Sequence, residues 1–468
     1  MSNSITVRLE LPARVTAVSE ITGVIEKVGG MVTAVDIAES GTERLRADLT
    51  IATWGSDHAD EVVAVMRQMD GVEIGKVSDR VFLVHLGGKL SVESKLPIRN
   101  RDDLSLVYTP GVAKVCQAIY ENPEDARRLT IKRNTVAVVT DGTAVLGMGN
   151  IGPLAAMPVM EGKAALFKKF AGIDAFPICL DTTDTEEIIA VVKAISPGFA
   201  GINLEDISAP RCFEIERRLR DELNIPVFHD DQHGTAIVCL AALNNALRVV
   251  DKQIENVRIV MSGAGAAGTA IIRLLIKAGA GRLIVSDVHG VVHPDREDIL
   301  GGDDENLQWI ATHTNEGRVT GGLKEVLAGA DIFIGVSAGG ILTGDDIATM
   351  ASDAIVFAMA NPHPEVDPAE AGKHATVVAT GRSDFANQIN NVLVFPGVFR
   401  GLIDAVTDQV TDDMLLAAAV ALSNVVGDDE RNPTYIIPSV FNPKATNAVA
   451  EAVERAARQR GGVRADSI

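Results

Sequence analysis

Val257-Arg258-Ile259-Val260-Met261-Ser262-Gly263-Ala264-Gly265-Ala266-Ala267-Gly268-Thr269 is the stretch on which the fold of most of this chain turns. Val257 to Met261 has strand character and runs into glycines at 263, 265 and 268; Thr269 to Ala278 continues with the small and apolar residues of a helix. The next strand-like run, Leu283-Ile284-Val285-Ser286, ends in Asp287, near the offset of roughly twenty residues at which an acid completes a dinucleotide-binding fingerprint. Gly263 permits the tight turn, Gly265 lets the backbone approach a pyrophosphate, and Gly268 allows close helix–strand packing. The pyrophosphate would rest on the helix N-terminus, where free N–H groups point outward. Ala266 and Ala267 belong to the same cradle, and Ser337, just past the strand-like run Asp331–Val336, joins them as cofactor-binding. The Asp287 carboxylate would accept hydrogen bonds from ribose hydroxyls and repel a 2′-phosphate. This favours NAD, while Arg282 and Arg296 lie near enough to keep NADP possible.

On both sides of this stretch, strand-like runs alternate with helical ones from Asn100 onward. They are Thr135–Thr140, Ala175–Leu180, Gly201–Leu204, Pro226–His229, Arg258–Met261, Arg282–Ser286, Asp331–Val336, Ile355–Met359 and Thr376–Ala379. Such alternation indicates α/β architecture with doubly wound parallel sheets, whose ligands gather at the carboxyl ends of strands. The expected division is a substrate and metal domain over 100–232, a Rossmann NAD(P)-binding domain over 233–394, and a C-terminal helical segment over 395–468. Residues 1–87 differ. They read as βαββαβ, a ferredoxin-like order, with Val72 to Leu86 as the last strand and a linker over 88–99. This unit resembles an ACT domain, a small regulatory module that often pairs between subunits and binds amino acids or similar effectors.

Two apolar runs end in acidic pairs: Gly201-Ile202-Asn203-Leu204 in Glu205-Asp206, and Ile225-Pro226-Val227-Phe228-His229 in Asp230-Asp231. Neighbouring parallel strands would set these ends side by side. Three carboxylates with waters and substrate oxygens suit octahedral Mg²⁺ or Mn²⁺. Adjacent strand residues point to opposite faces, so one acid of the four is free to orient or relay protons. An isolated acidic pair is more often a solvated surface or a helix cap; two pairs that each close an apolar run shift the balance toward a site. His229 and His233 read as supports or core residues, since carboxylates dominate the cluster.

The formal charge of −20 and a pI near 4.9 argue against nucleic acid and anionic membrane as partners. An anionic substrate would therefore need local positive charge from a metal or lysines. Four cysteines without CxxC spacing fit a reducing cytoplasm. No apolar run is long enough to span a bilayer, and Met1-Ser2-Asn3-Ser4 lacks a signal-peptide pattern. Tyr108, one of three tyrosines, sits before the turn formers Pro110 and Gly111, where a phenol can serve as an acid; half-buried packing is the plainer role. Lys163 follows Gly162 on a helix with an apolar face. A surface lysine that snorkels is the usual case, but one beside a bound cation and out of water would have a depressed pKa and could act as a base.

At these residues the chain resembles the malic enzymes of the short bacterial type over roughly residues 95 to 455. The resemblance rests on Leu106-Val107-Tyr108-Thr109-Pro110-Gly111-Val112-Ala113, on Thr140-Asp141-Gly142 through Gly147-Met148-Gly149-Asn150-Ile151-Gly152, and on Glu161-Gly162-Lys163. It continues in Asn203-Leu204-Glu205-Asp206-Ile207, His229-Asp230-Asp231-Gln232-His233-Gly234-Thr235, and Thr380-Gly381-Arg382-Ser383-Asp384 through Asn390-Asn391-Val392. The resemblance implies oxidative decarboxylation of L-malate to pyruvate and CO₂ with NAD(P) and Mg²⁺ or Mn²⁺. It implies Tyr108 as general acid, Lys163 as general base, and Glu205, Asp206 and Asp231 as metal ligands. It also implies Asp230 as a supporting catalytic group, and Asn361 and Asn391 as amides that hold the substrate carboxylates. A dimer or larger homo-oligomer is expected of the family. The large eukaryotic members carry an arginine in the loop after Thr140-Asp141-Gly142, whereas Thr143-Ala144 stands here, so charge handling differs in part. An ACT-like unit is unusual for the short type and suggests effector control. Two other readings stand beside this one: a malolactic or oxaloacetate-decarboxylating enzyme of the same fold, and a catalytically silent ACT-type ligand sensor.

Overall fold

Strand β1 (Asn3–Pro12) opens the N-terminal unit, Met1–Ser91, of the computed structural model, which describes residues 3–459. Alternation along β1 turns Ile5, Val7, Leu9 and Leu11 into a core shared with Ala17, Ile21 and Ile25 of helix α1 (Ala17–Lys27). Strands β2 (Met31–Ser40) and β3 (Arg44–Thr53), helix α2 (Ser56–Arg67) and strand β4 (Glu73–Asp79) complete the βαββαβ order. The sheet runs β2-β3-β1-β4 with every neighbour antiparallel. Its open face is polar: Arg8 pairs with Asp48 at 2.7 Å, and Arg46 with Glu10 at 2.7 Å. One expectation is corrected. The strand read over Val72 to Leu86 stops at Asp79, and helix α3 (Arg80–His85) follows. The Asp79 carboxylate accepts the Val81 N–H at 2.7 Å, a cap that turns the apolar run Val81-Phe82-Leu83-Val84 into a helix.

In the second unit, Val92–Ile468, short helices α4 (Arg101–Val107), α5 (Val112–Glu121) and α6 (Asp125–Leu129) lead into a parallel sheet. It is built from β5 (Thr135–Thr140), α7 (Pro153–Ala171), β6 (Asp174–Cys179), α8 (Thr185–Ile195), β7 (Gly201–Leu204), α9 (Arg211–Glu222) and β8 (Val227–His229), in the order β6-β5-β7-β8. Helix α10 (Thr235–Val249) leaves it. Both faces are covered. Val136 and Val138 of β5 pack toward Phe167 and Phe228, while Ala137 and Val139 face Ile188, Val192 and Ile215 of α8 and α9.

The larger sheet begins with β9 (Arg258–Ser262), α11 (Ala266–Lys277), β10 (Arg282–Asp287) and β11 (Gly290–Val291), and ends with β12 (Ile332–Gly335), β13 (Ile355–Ala358) and β14 (Val377–Thr380). Its order is β11-β10-β9-β12-β13-β14; β11 is antiparallel and the rest are parallel. Every strand-like run expected beyond Asn100 is a strand here. From β9 the chain first builds outward to β10, then returns to place β12 on the other side. That reversal opens a crevice at the carboxyl ends of β9 and β12. Helices over Phe395–Ala405, Asp412–Ser423 and Pro443–Gln459 pack on the core. Side chains at 397 and 401 would press on the Thr446 and Ala450 carbonyls, at 2.7 and 2.5 Å, so Gly397 and Gly401 let two of these helices touch closely. The remainder of the expected C-terminal segment, 460–468, lies outside the described residues, as do Met1 and Ser2 of the N-terminal reading. Among the described residues no helix is long and apolar enough to cross a membrane.

Candidate active site and metal centre

Parallel pairing sets Leu204 of β7 opposite His229 of β8, so the acids that follow each strand meet at one sheet edge. Asp206 takes a left-handed conformation (φ 54°), and its N–H donates to Asp231 Oδ2 at 2.8 Å. Carboxylate oxygens of Glu205, Asp206 and Asp231 lie within 4.8 Å of one another. Lys163, on α7 and only 7% exposed, inserts its ammonium 2.5 Å from Asp230 Oδ2 and 2.9 Å from Glu205 Oε1. The Phe395 ring lies beneath it, 4.3 Å from Nζ to the centroid.

Four carboxylates, Glu205, Asp206, Asp230 and Asp231, thus gather about the one ammonium of Lys163. Burial, with Asp231 and Glu205 adding like charge, pushes Asp206 up to about 9. Burial also pushes Asp230 up to about 7 although Lys163 opposes it, and Glu205 is raised for the same first reason. For Lys163, burial acts downward, but Asp230, Glu205 and Asp231 outweigh it and raise the ammonium above the ordinary lysine range. The depression expected of Lys163 belongs to a lysine beside a bound cation; the protein's own charges, acting alone, move it the other way. Among the described residues, nothing hydrogen-bonds to buried Asp206 Oδ2 or Asp230 Oδ1. Hard oxygen donors in excess of positive charge, some unpartnered, are what a small divalent cation such as Mg²⁺ or Mn²⁺ fits.

Asp230 and Asp231 open a π-helical turn, Asp230–Gly234, between β8 and α10. A side chain at 234 would collide with Asp230 Oδ1 and come 3.2 Å from Asn391 Cβ, so glycine is required there and Asn391 is placed beside the turn. Asn361 lies beyond β13. Its carbonyl abuts Gly147 of the loop after β5, and a side chain at Gly381 would come within 3.2 Å of its Nδ2. The structure thus groups Lys163, Glu205, Asp206, Asp230, Asp231 and Asn391. Tyr108, at the end of α4, is 63% exposed, and among the described residues no hydrogen bond or ion pair joins it to this cluster.

The glycine turn follows β9. Gly263 has φ 112° and lies so close to β12 that a side chain would sit 2.8 Å from the Val336 carbonyl. A side chain at Gly268 would strike the Gly263 carbonyl, whereas one at Gly265 would enter open space. Ala266 and Ala267 start α11. Ser262 and Ser337 share a hydroxyl hydrogen bond of 2.7 Å across the crevice. Asp287 ends β10, accepts the His289 N–H at 2.8 Å, and is gripped by Arg296 at 2.8 and 2.6 Å. The nearby arginine flagged in the sequence is thus committed to Asp287, and also to Asp298.

Sequence reasoning passed over two buried acids. Glu216 accepts hydrogen bonds from the His229 N–H, Gln232 and His233. Glu365 accepts the N–H groups of Ser337 and Ala360 at 2.8 and 3.1 Å, tying the ends of β12 and β13 together. The signal for Glu216 was present: it lies in the apolar stripe Cys212, Ile215, Leu219 of α9, where an acid is out of place. Glu365 sits in a loop with no periodicity to violate.

Known proteins are similar to this chain along most of its length. The malic enzyme N-terminal domain model matches residues 87–220, and the malic enzyme NAD binding domain model matches 232–458. An NAD-dependent malic enzyme of Geobacillus stearothermophilus is 55% identical over 467 residues, 99% of this chain and 96% of its own. A bifunctional malic/malolactic enzyme of Bacillus subtilis is 51% identical over 81% of this chain and 92% of its own. The crystal structure of an NAD-dependent malic enzyme from Thermotoga maritima superposes with a TM-score of 0.77 at 47% identity, covering 81% of this chain and 99% of that one. Two domain models that span most of the chain, and relatives this similar along it, place it: the chain belongs to the malic enzyme family.

Proposed function

We propose that the chain catalyses NAD-dependent oxidative decarboxylation of L-malate to pyruvate and CO₂. The observation that carries this reading is the buried contact of Lys163 with Asp230 and Glu205, made beside the acids Asp206 and Asp231. Held by Glu205, Asp206 and Asp231, Mg²⁺ or Mn²⁺ would supply positive charge at the C2 oxygen of malate and draw off the field that otherwise falls on Lys163. NAD, cradled by Gly263, Gly265, Ala266, Ala267, Gly268, Asp287 and Ser337, would supply the hydride acceptor.

Lys163, a neutral amine once a bound cation offsets the surrounding acids, would then accept the C2 hydroxyl proton as hydride leaves C2, and Asp230, 2.5 Å from its nitrogen, holds it in line. Asn361 and Asn391 orient the two substrate carboxylates. After the C4 carboxyl group departs as CO₂, Tyr108 returns a proton to C3. The Phe395 ring against Nζ keeps water from the base.

Residues 1–87 are read as an ACT-like regulatory unit for a small effector; the βαββαβ order and the sheet order β2-β3-β1-β4 support this, and the Geobacillus relative matches over that unit too. The domains are read as 100–232 for substrate and metal, 233–394 for cofactor, and 395–468 as the packing segment. A cytoplasmic location suits the four unpaired cysteines, and a homodimer or larger assembly is the expectation carried by the family resemblance.

The test is the purified chain with Mn²⁺, L-malate and NAD. Pyruvate and NADH in equal amounts support the reading. Lactate without NADH would replace it with the malolactic reaction named for the Bacillus relative. No turnover with malate under any cofactor would leave the sensor.

A further inference from the structure

The acids read as metal ligands come from two segments of different backbone form. Glu205 and Asp206 follow a strand directly, whereas Asp231 belongs to the five-residue π turn Asp230–Gly234. Turns of this kind are rare and do not hold themselves as an α-helix does. Something must fix it, and Glu216 reaches it from α9. Its carboxylate, 5% exposed, accepts the His229 N–H at 3.1 Å, Gln232 Nε2 at 3.2 Å, and His233 Nε2 at 2.8 and 3.0 Å on its two oxygens. These donors flank Asp230 and Asp231 on both sides in sequence, so one buried group spans the segment that carries Asp231.

We propose that Glu216 is a positioning residue that sets the affinity for the divalent cation by holding the Asp230–Gly234 turn in its ligating shape. The proposal rests on the metal reading of Glu205, Asp206 and Asp231. Burial alone would favour a neutral Glu216, but His233 overcomes it and holds the group near 2, so every donor faces a carboxylate. Groups that orient metal ligands without touching the metal commonly change affinity about 10- to 100-fold when altered.

The experiment uses the full chain. Mn²⁺ binding without substrate is measured by electron paramagnetic resonance for the wild type, Glu216→Gln, His233→Gln and Asp231→Asn, and near-UV circular dichroism checks the fold. Glu216→Gln is expected to weaken Mn²⁺ about tenfold while folded. The KM for Mn²⁺ should rise in step, and kcat at saturating Mn²⁺ should largely recover. A folded Glu216→Gln with wild-type Mn²⁺ affinity overturns the proposal, even if its Tm falls, because a purely structural pair would do that. Should Glu216→Gln not fold, Gln232→Ala, which removes one donor and keeps the Glu216–His233 pair, decides instead: weaker Mn²⁺ supports the proposal and unchanged Mn²⁺ overturns it. A wild type that binds no Mn²⁺ sinks the metal reading itself. Loss of binding in Asp231→Asn beside normal binding in Glu216→Gln sinks only the role of Glu216.

Discussion

The carboxyl edges of the two parallel sheets are built by opposite means. At the smaller sheet the chain crowds charge: four acids, all but Asp231 buried, lie about Lys163, and Asp206 is pushed up to about 9 by burial first and by Asp231 and Glu205 after it. At the larger sheet it removes side chains: Gly263 and Gly268 let strand, turn and helix touch, and Gly265 leaves room in front. The first edge holds electrostatic tension that a bound cation would relieve, so ligand and charge would be inseparable there. At the glycine turn of the second, close contact sets the shape, and steric and ligand-facing positions can be told apart.

The largest effect is expected at the charged edge. Lys163→Ala should lower kcat by about 10²- to 10⁴-fold, the usual worth of a positioned acid or base, while malate and NAD still bind. Steady-state rates with binding calorimetry check this, and wild-type-like turnover would refute the base assignment. The steric edge should respond in two separable ways. Gly268→Ala drives a methyl group into the Gly263 carbonyl, so overpacking of about 1–3 kcal/mol should lower Tm and weaken NAD together. Gly265→Ala points into open space, so NAD should weaken with Tm unchanged. Thermal melts and NAD titrations of both variants decide; equal losses of Tm would break the distinction between the two glycines.

The turn at Gly263–Gly268 was legible because a backbone constraint leaves a fixed spacing in sequence, with a strand before and a helix behind. The acidic pairs were legible because each closes an apolar run, and the pairing of β7 with β8 follows from two consecutive strand–helix units. What could not be read were partnerships between distant residues. The grip of Arg296 on Asp287 was visible only as proximity, and the rise of Lys163 depends on how many acids surround it. Val81 to Val84 misled because an apolar run of that length fits strand or helix, and the deciding cap lies on Asp79. Tyr108 has the expected turn after it yet stands 63% exposed, and among the described residues no hydrogen bond or ion pair joins it to the acids with which it was grouped.

The smallest effect separates the charge proposed to bind metal from the charge proposed to brace the turn. Glu216 is lowered from an ordinary 4.5 to about 2, since the contact with His233 outweighs the penalty of burial. An acid whose folded pKa lies below its unfolded value contributes stability above the unfolded pKa and loses it as pH falls through the folded one. Between about pH 5 and pH 2 the wild type should therefore shed this contribution, and Glu216→Gln, with nothing to titrate there, should show a shallower acid decline. Urea midpoints taken from pH 6 downward, on metal-free protein, measure the two slopes. Parallel slopes would mean that Glu216 keeps an ordinary acidity, and the brace would then act through hydrogen bonding without the charge that His233 is held to stabilise.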